Sequence, residues 1–258
     1  MSSIQDRTVL ITGASAGIGA ACARALAGCG ARLVLVARRA DRLRELSDQL
    51  TSGGTTVHTQ ALDVRDRSGV SALERDLAKR DFLPDILVNN AGLARELDPL
   101  HEGDLDDWDE MIDTNVKGLL YVTRAFLPHM VARDEGHVVN IGSTAGHLVY
   151  PGGNVYAATK FAVRALTHAM SVDLFGTRVR VSVVDPSTVT ETEFAQVRFH
   201  GDEERGARTY RGFTPLMARD VAEAVVWVLE RPPHVNVRDV VLMPTAQRNA
   251  YVLYKEES

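Results

Sequence analysis

Thr8-Val-Leu-Ile-Thr-Gly-Ala-Ser-Ala-Gly-Ile-Gly19 is the stretch from which the rest of the chain is read. Thr8 to Ile11 is a short apolar run of the kind that fills a buried strand. Thr12 to Gly19 follows at once, and Ala20 to Ala27 then reads as an alanine-rich helix closed by Gly28-Cys-Gly30. Glycines at 13, 17 and 19 let the backbone turn tightly and approach a pyrophosphate, which a helix N-terminus stabilises. Ser15 and Ile18 belong to the same loop. A glycine-rich turn can also be a plain connection; the strand before it and the helix after it are the context that a phosphate loop needs.

Working outward, the second strand is Arg32-Leu-Val-Leu-Val-Ala37, with Arg38-Arg39 directly behind it. A chain that selects NAD places an acidic residue near this strand end, for the ribose 2'-hydroxyl. Here two guanidinium groups stand in that place, and their planar, permanently charged forks suit a 2'-phosphate. The expected cofactor is therefore NADP(H), against the plainer reading of a solvated basic helix start over Arg38 to Arg44. Leu43, Leu46 and Leu50 give that helix its apolar stripe, and Gly53-Gly54 ends it. Thr56 to Leu62 reads as the third strand, ending at Asp63-Val64, where an adenine amino group could be recognised. A helix over 66–80 leads to the fourth strand, Asp85-Ile-Leu-Val88, and to Asn89-Asn-Ala-Gly92, small residues that suit a cofactor-lined crevice as well as a turn. Trp108, Met111 and Ile112 begin a long helix that passes Asn115 and reaches Pro128. An asparagine inside a helix is mildly unfavourable because its amide competes for backbone groups, so Asn115 is a candidate functional position.

The chemistry is expected between Asn140-Ile-Gly-Ser143 and Tyr156-Ala-Ala-Thr-Lys160. Residues four apart on a helix project from one face, so Tyr156 and Lys160 are neighbours. A free tyrosine has a pKa of about 10, and an ammonium one turn away favours the phenolate. That brings the phenol toward the range where a general acid or base works best. Ser143, at the end of the apolar run His137 to Ile141, can hydrogen-bond the same substrate oxygen. An amphipathic helix with a tyrosine at its edge is the bland alternative. After Phe161 to Leu174 and a sixth strand over Val179 to Val184, the segment from Ser187 to Phe213 shows no sustained periodicity. A stretch of that length outside regular elements is commonly a lid.

Seven strands alternating with helices, most of them continuous apolar runs, call for one α/β domain over residues 1–258: a doubly wound parallel sheet, or Rossmann fold. Gly13, Arg38, Asp63, Asn89 and Ser143 all fall at carboxyl ends of strands, where such sheets bind ligands. The 258 residues carry a net charge of -5 and a pI near 5.9, which argues against nucleic acid or an anionic membrane as main partner. The beginning of the chain lacks the apolar core of a signal peptide and no apolar run approaches membrane-spanning length, so a cytoplasmic protein is expected. Cys22 and Cys29 lie seven apart in one helix, roughly 10 Å along its axis and beyond disulfide reach. No metal site is expected.

Taken together, Thr12-Gly-Ala-Ser-Ala-Gly-Ile-Gly19, Asp63-Val64, Asn89-Asn-Ala-Gly92, Asn115, Ser143 and Tyr156-Ala-Ala-Thr-Lys160 resemble the short-chain dehydrogenase/reductase family over essentially the whole chain. Within it, Met111-Ile-Asp-Thr-Asn115, Gly152-Gly-Asn-Val-Tyr156, Glu193-Phe-Ala-Gln-Val-Arg-Phe199 and Met243-Pro-Thr-Ala-Gln247 are similar to bacterial NADP-dependent serine or 3-hydroxy acid dehydrogenases. A reductase of clavulanic acid biosynthesis shares less of the pattern and implies the alternative, a carbonyl reductase of secondary metabolism; a silent NADP-binding sensor is the reading from another class. The resemblance implies that Ser143 orients the substrate oxygen, Tyr156 exchanges the proton, Lys160 binds the nicotinamide ribose and lowers the tyrosine pKa, and Asn115 holds a relay water. It adds Pro186, Val189 and Thr192 around the nicotinamide, Asn154 and Arg198 as substrate contacts, and a homotetramer. The family has glycine after the proline that follows the sixth strand. Ser187 stands there in this chain and puts the exact substrate in doubt more than the chemistry.

Overall fold

The computed structural model describes residues 4–249 and 251–255. The first three residues of the stretch inspected for a signal peptide, and residues 250 and 256–258 of the tail, lie outside the described residues. In chain order come β1 (Thr8–Thr12), α1 (Gly17–Gly28), β2 (Arg32–Ala37), α2 (Ala40–Ser52), β3 (Val57–Ala61), α3 (Arg67–Lys79) and β4 (Ile86–Asn89). Then follow α4 (Leu105–Ile112), a π-helical turn over Asp113–Gly118, α5 (Leu119–Arg133), β5 (Gly136–Ile141) and a 3-10 turn, Thr144–Gly146. The last third holds α6 (Asn154–Asp173), β6 (Val179–Pro186), β7 (Val189–Thr190), α7 (Phe194–Arg198), α8 (Glu203–Arg208), β8 (Leu216–Met217), α9 (Ala218–Leu229) and β9 (Asp239–Leu242).

The sheet has seven strands in the order β3-β2-β1-β4-β5-β6-β9, all parallel. The chain winds outward from β1 to β3 and then returns to place β4 on the other side of β1. That reversal separates the loops after β1 and β4 and opens a crevice at their carboxyl ends. Every residue of β1 is buried, as expected for a strand covered on both faces, whereas the edge strand β3 is only half covered. On one face α1 and α9 pack together, burying Leu26, Val221, Val225 and Val228. On the other α3 and α5 bury Leu77, Phe126 and Met130. Each such side chain stabilises the fold by about 1.5–3 kcal/mol through burial. Asp66 caps α3 by accepting from the N–H groups of Ser68 and Gly69.

Three expectations change in detail. The first helix starts at Gly17, not Ala20, so Gly17, Ile18 and Gly19 form its first turn. The long helix through Asn115 is broken into a π-helical turn and then continues past Pro128 to Arg133. Pro128 faces solvent between the buried Phe126 and Met130, so the carbonyl it leaves unpaired can be hydrated while the packing holds the helix. The segment 187–213, expected as a lid, is more ordered than its sequence: α7, α8 and β7 lie within it, β7 pairing with β8 just beyond. Cys22 and Cys29 are both free. Among the described residues no helix is long and apolar enough to cross a membrane.

Candidate active site

A cavity of about 500 Å³ lies along the carboxyl ends of the strands. Gly13, Ser15, Gly17 and Ile18 line its inner wall, at the start of α1. Gly13 and Gly17 have φ of 65° and 52°, a region where side-chain-bearing residues are strained. Ala16, the residue before α1, offers no side-chain cap, and the first turn carries no acid. The leading N–H groups of α1 are thus left for an anion in the cavity. Gly19 does not line the cavity; a Cβ there would stand 2.3 Å from the Gly13 carbonyl oxygen, so this glycine lets helix and loop pack.

The outer rim is made by Arg38, Arg39, Asp63 and Val64. Arg39 Nη2 and Nη1 donate to the Glu193 carboxylate at 2.6 and 3.0 Å, and Nη2 also reaches Ser15 Oγ at 3.2 Å. This places a lid residue, a rim cation and the glycine loop in one cluster, and the guanidinium holds the Glu193 carboxyl below its usual range. Arg38 stands 3.6 Å from Glu110, which also pairs with Arg95 at 2.6 Å. Asp63 is gripped by Arg65, whose Nη2 lies 2.7 Å from Oδ2. Two exposed guanidinium groups with no acid on the strand end between them fit a dinucleotide carrying a 2'-phosphate.

At the cavity floor Ser143, Tyr156 and Lys160 converge, all buried. The Tyr156 phenol is held above its ordinary pKa, not brought below it as the Tyr156–Lys160 spacing suggests: burial raises it most, the Arg198 guanidinium and a hydrogen bond with Ser143 oppose the shift, and the Asp185 charge adds to it. The strongest opposing charge is therefore that of Arg198, where the sequence reading assigned the part to Lys160. Lys160 Nζ donates to the Ile141 carbonyl at 3.0 Å and lies 5.9 Å from the Tyr156 ring centroid. Its own pKa is pushed down to about 8 by burial, against the opposing charge of Asp185. Asn115 sits behind the wall in the π-helical turn. Its Oδ1 accepts the Leu93 N–H at 2.8 Å, and its Nδ2 donates to the Leu93 carbonyl at 2.8 Å and to Thr159 Oγ1 at 3.0 Å. The amide does compete for backbone groups, but for those of the β4 loop and not of its own helix.

Ala91, Gly92, Pro186, Val189 and Thr192 line the cavity as expected, and Asn89 does not. Side chains alternate along a strand. Asn89 points into the protein, donating to Thr123 Oγ1 and Asn140 Oδ1, each at 2.9 Å. Its neighbour Asn90 lines the cavity and ties β4 to the glycine loop through the Thr12 carbonyl at 2.8 Å. Asn154 is also off the wall, its amide donating to the Asp98 carbonyl at 2.8 Å. Ser187 is in the lining, but its hydroxyl is engaged at 2.6 Å with Gln247 Oε1 from the tail.

Of the lid arginines, Arg205 and Arg208 pair with Glu96 and Glu204, while Arg198 enters the cavity. Its guanidinium carbon lies 5.2 Å from the Tyr156 ring centroid and 5.0 Å from that of Phe194. Nη2 donates to the Tyr150 hydroxyl at 2.9 Å, and the buried Nε meets no acceptor among the described residues. Lid helix α7 is docked by main-chain contacts: the Glu96 N–H bonds the Arg198 carbonyl at 2.9 Å, and Arg95 Nη1 bonds that of Val197 at 2.5 Å.

Sequence reasoning did not reach Tyr150, Asp185 or His147. Asp185 is fully buried at the end of β6, with Oδ1 accepting the Ser143 N–H at 2.9 Å and Oδ2 meeting His147 Nε2 at 2.7 Å. Burial still holds its carboxyl above the usual range, opposed by His147, Ser143 and Lys160. The signal was an acid breaking the apolar run Val181 to Val184.

The profile of the short chain dehydrogenase family matches residues 7–203. The NADP-dependent 3-hydroxy acid dehydrogenase YdfG of Salmonella typhi is 48% identical over 93% of this chain and 95% of its own. Sulfoacetaldehyde reductase 2 of Chromohalobacter salexigens is 46% identical over 93% of this chain and 94% of its own. Among solved structures, the closed form of a serine dehydrogenase complexed with NADP+ superposes with a TM-score of 0.91 at 44% identity, covering 97% of this chain and 100% of that one. Fold, glycine loop and sequence agree: the chain belongs to the short-chain dehydrogenase family.

Proposed function

We propose that the protein interconverts a small 3-hydroxy acid and its semialdehyde, serine or 3-hydroxypropionate being the type. The coarser frame is an NADP-dependent oxidoreductase of the family, acting on CH–OH groups. The leading N–H groups of α1 with Ser15 would hold the pyrophosphate, Arg38 and Arg39 the 2'-phosphate, and Asp63 and Val64 the adenine. A bound NADP(H) would supply the hydride acceptor or donor for the carbinol carbon. The chain's own residues handle the proton. Ser143 orients the substrate oxygen, and the Tyr156 hydroxyl exchanges the proton with it. Lys160 would bind the nicotinamide ribose, and Asn115 fixes the Leu93 backbone in the cavity wall.

The observation that carries the substrate class is Arg198, a cation beside Tyr156 whose buried Nε–H meets no acceptor among the described residues. A carboxylate on the substrate would satisfy it, and a buried charge without a partner is costly. The relatives support the same chemistry. A 3-hydroxy acid and sulfoacetaldehyde both keep an anionic group one methylene from the reacting carbon. Arg198→Ala should raise the KM for 3-hydroxypropionate by roughly 10- to 100-fold, the scale of a hydrogen bond to a charged group. A neutral aldehyde of similar size should be little affected. Equal effects on both, or bulky neutral ketones reduced far faster than malonic semialdehyde, would count against the acid in favour of a carbonyl reductase. The proposal extends to a homotetramer, because Leu120 and Phe161 on α5 and α6 and Tyr251, Val252 and Tyr254 in the tail are exposed. A monomer by light scattering at micromolar concentration would exclude that assembly.

A further inference from the structure

We propose that Asp185 and His147 are positioning residues, in which one buried carboxylate holds both ends of the turn that presents Ser143 to the substrate. The inference rests on the catalytic roles of Ser143 and Tyr156 proposed above. The β5–β6 ladder ends where the Gly142 N–H meets the Val184 carbonyl at 2.8 Å. Ser143 comes next with an extended backbone, beyond the reach of the neighbouring strand, and Asp185 Oδ1 takes its N–H at 2.9 Å. Ser143 then opens the 3-10 turn, its Oγ accepting the Ala145 N–H at 3.1 Å. His147 closes the turn: its N–H reaches the Thr144 carbonyl at 3.0 Å, and its ring returns to Asp185 Oδ2 at 2.7 Å.

Two glycines show that the surroundings are shaped to this arrangement. A Cβ on Gly142 would stand 1.8 Å from Asp185 Oδ1, so no other residue leaves the carboxylate room. A Cβ on Gly146 would stand 2.8 Å from the Lys160 carbonyl oxygen, so the turn is seated on α6 where Lys160 and Tyr156 emerge. A shift of the turn is thus a shift of Ser143 relative to Tyr156. The sheet itself has no need of the acid, since Val181, Val183 and Val184 before it are buried hydrophobics. A buried carboxylate is expensive unless paired and hydrogen-bonded. Here the Ser143 N–H, His147 and the Lys160 charge offset part of that cost. The groups facing it are His147 from the turn and Lys160 and Tyr156 from α6, with Arg198 from the lid beyond Tyr156.

His147 is partly exposed, its side chain 27% accessible, so it can be replaced without opening the core. The test compares His147→Ala, His147→Gln, Asp185→Asn and Tyr156→Phe, using NADP(H) and whichever substrate of the Arg198 panel turns over fastest. His147→Ala should lower kcat by roughly 10- to 100-fold, the scale of a small misplacement of a reacting group. NADPH affinity should stay within about twofold and KM should change little, because the turn orients and does not bind. His147→Gln, whose amide can still donate to Asp185, should recover most of the loss. Asp185→Asn keeps an oxygen for the Ser143 N–H and turns an amide toward His147; it should lower kcat in the same sense. His147→Ala with wild-type kcat overturns the proposal. So does a kcat loss matched by weaker NADPH binding and not recovered by His147→Gln, which marks a merely structural pair. Near-normal turnover in Tyr156→Phe would instead overturn the catalytic reading beneath it.

Discussion

At the inner end of the cavity, Ser143, Tyr156, Lys160 and Asp185 are all less than a tenth exposed, and each is held by main-chain groups or by another member of the set. At the outer end, the side chains of Arg38 and Arg39 are 57% and 42% exposed and pair with Glu110 and Glu193. Both ends use charged groups, but folding fixes only the first. The floor is assembled from strand ends and a packed helix, so its geometry exists before any ligand arrives. The rim is assembled from exposed ion pairs, each worth at most about 1 kcal/mol, which a phosphate can displace. Substitutions at the floor should therefore change turnover, and substitutions at the rim should change cofactor affinity.

The largest effect expected of that division is at Tyr156. Tyr156→Phe keeps the ring and removes the exchangeable proton, so kcat should fall by at least about 100-fold, the usual loss for acid–base catalysis. NADPH binding, followed by fluorescence titration, should be nearly unchanged. If affinity dropped along with kcat, floor and rim would not be separable. The second effect is at Arg39. Arg39→Ala should weaken NADPH by roughly 10- to 100-fold, from the 1.5–3 kcal/mol of a charge-assisted contact. NADH affinity and kcat at saturating cofactor should hardly move. Equal weakening of both cofactors would remove Arg39 from the 2'-phosphate site.

The same contrast explains how much of the molecule could be read from its sequence. Parallel strands announce themselves as apolar runs, and the glycine loop and the Tyr156–Lys160 spacing are local patterns, so the floor's main residues were legible. What escaped depends on contacts across the sheet. Asp185 and His147 are 38 residues apart and meet only because β6 lies beside β5. Asn89 and Asn90 differ only in which side of β4 they face, which a strand end does not reveal. The π-helical turn over Asp113–Gly118 has no periodicity of its own to detect. The lid helices are five and six residues long, too short to show an apolar stripe. Arg198 could be named in advance because it sits in a family-like segment, but its position against Tyr156 required the docking of α7.

That docking yields a smaller prediction, in pH. On the proposed mechanism the phenolate accepts the proton in the oxidation direction, so the rate should climb as pH rises through the Tyr156 pKa. Burial raises that pKa and the Arg198 charge opposes the rise. Arg198→Ala removes a cation that favours the phenolate, so the climb should move to higher pH when a neutral alcohol is the substrate. An unchanged profile, with Lys160→Ala moving it instead, would return the role to Lys160.

The smallest effect concerns Glu193, and it separates two ways in which the rim could work. Arg39 is held by the Glu193 carboxylate through both terminal nitrogens. A 2'-phosphate must take the guanidinium from that partner or share it. The pair is exposed, so the competition is worth at most about 1 kcal/mol, roughly a fivefold change in affinity. Glu193→Gln keeps the size of the side chain and removes its charge. NADPH should then bind a few-fold more tightly, NADH should be unaffected, and the gain should shrink as added salt screens the wild-type pair. In an Arg39→Ala background the Glu193 substitution should add nothing, because the cycle isolates the one interaction. Weaker NADPH binding by Glu193→Gln would reverse the conclusion: the lid acid would then be holding Arg39 in place for the phosphate, and the rim, like the floor, would be set before the ligand arrives.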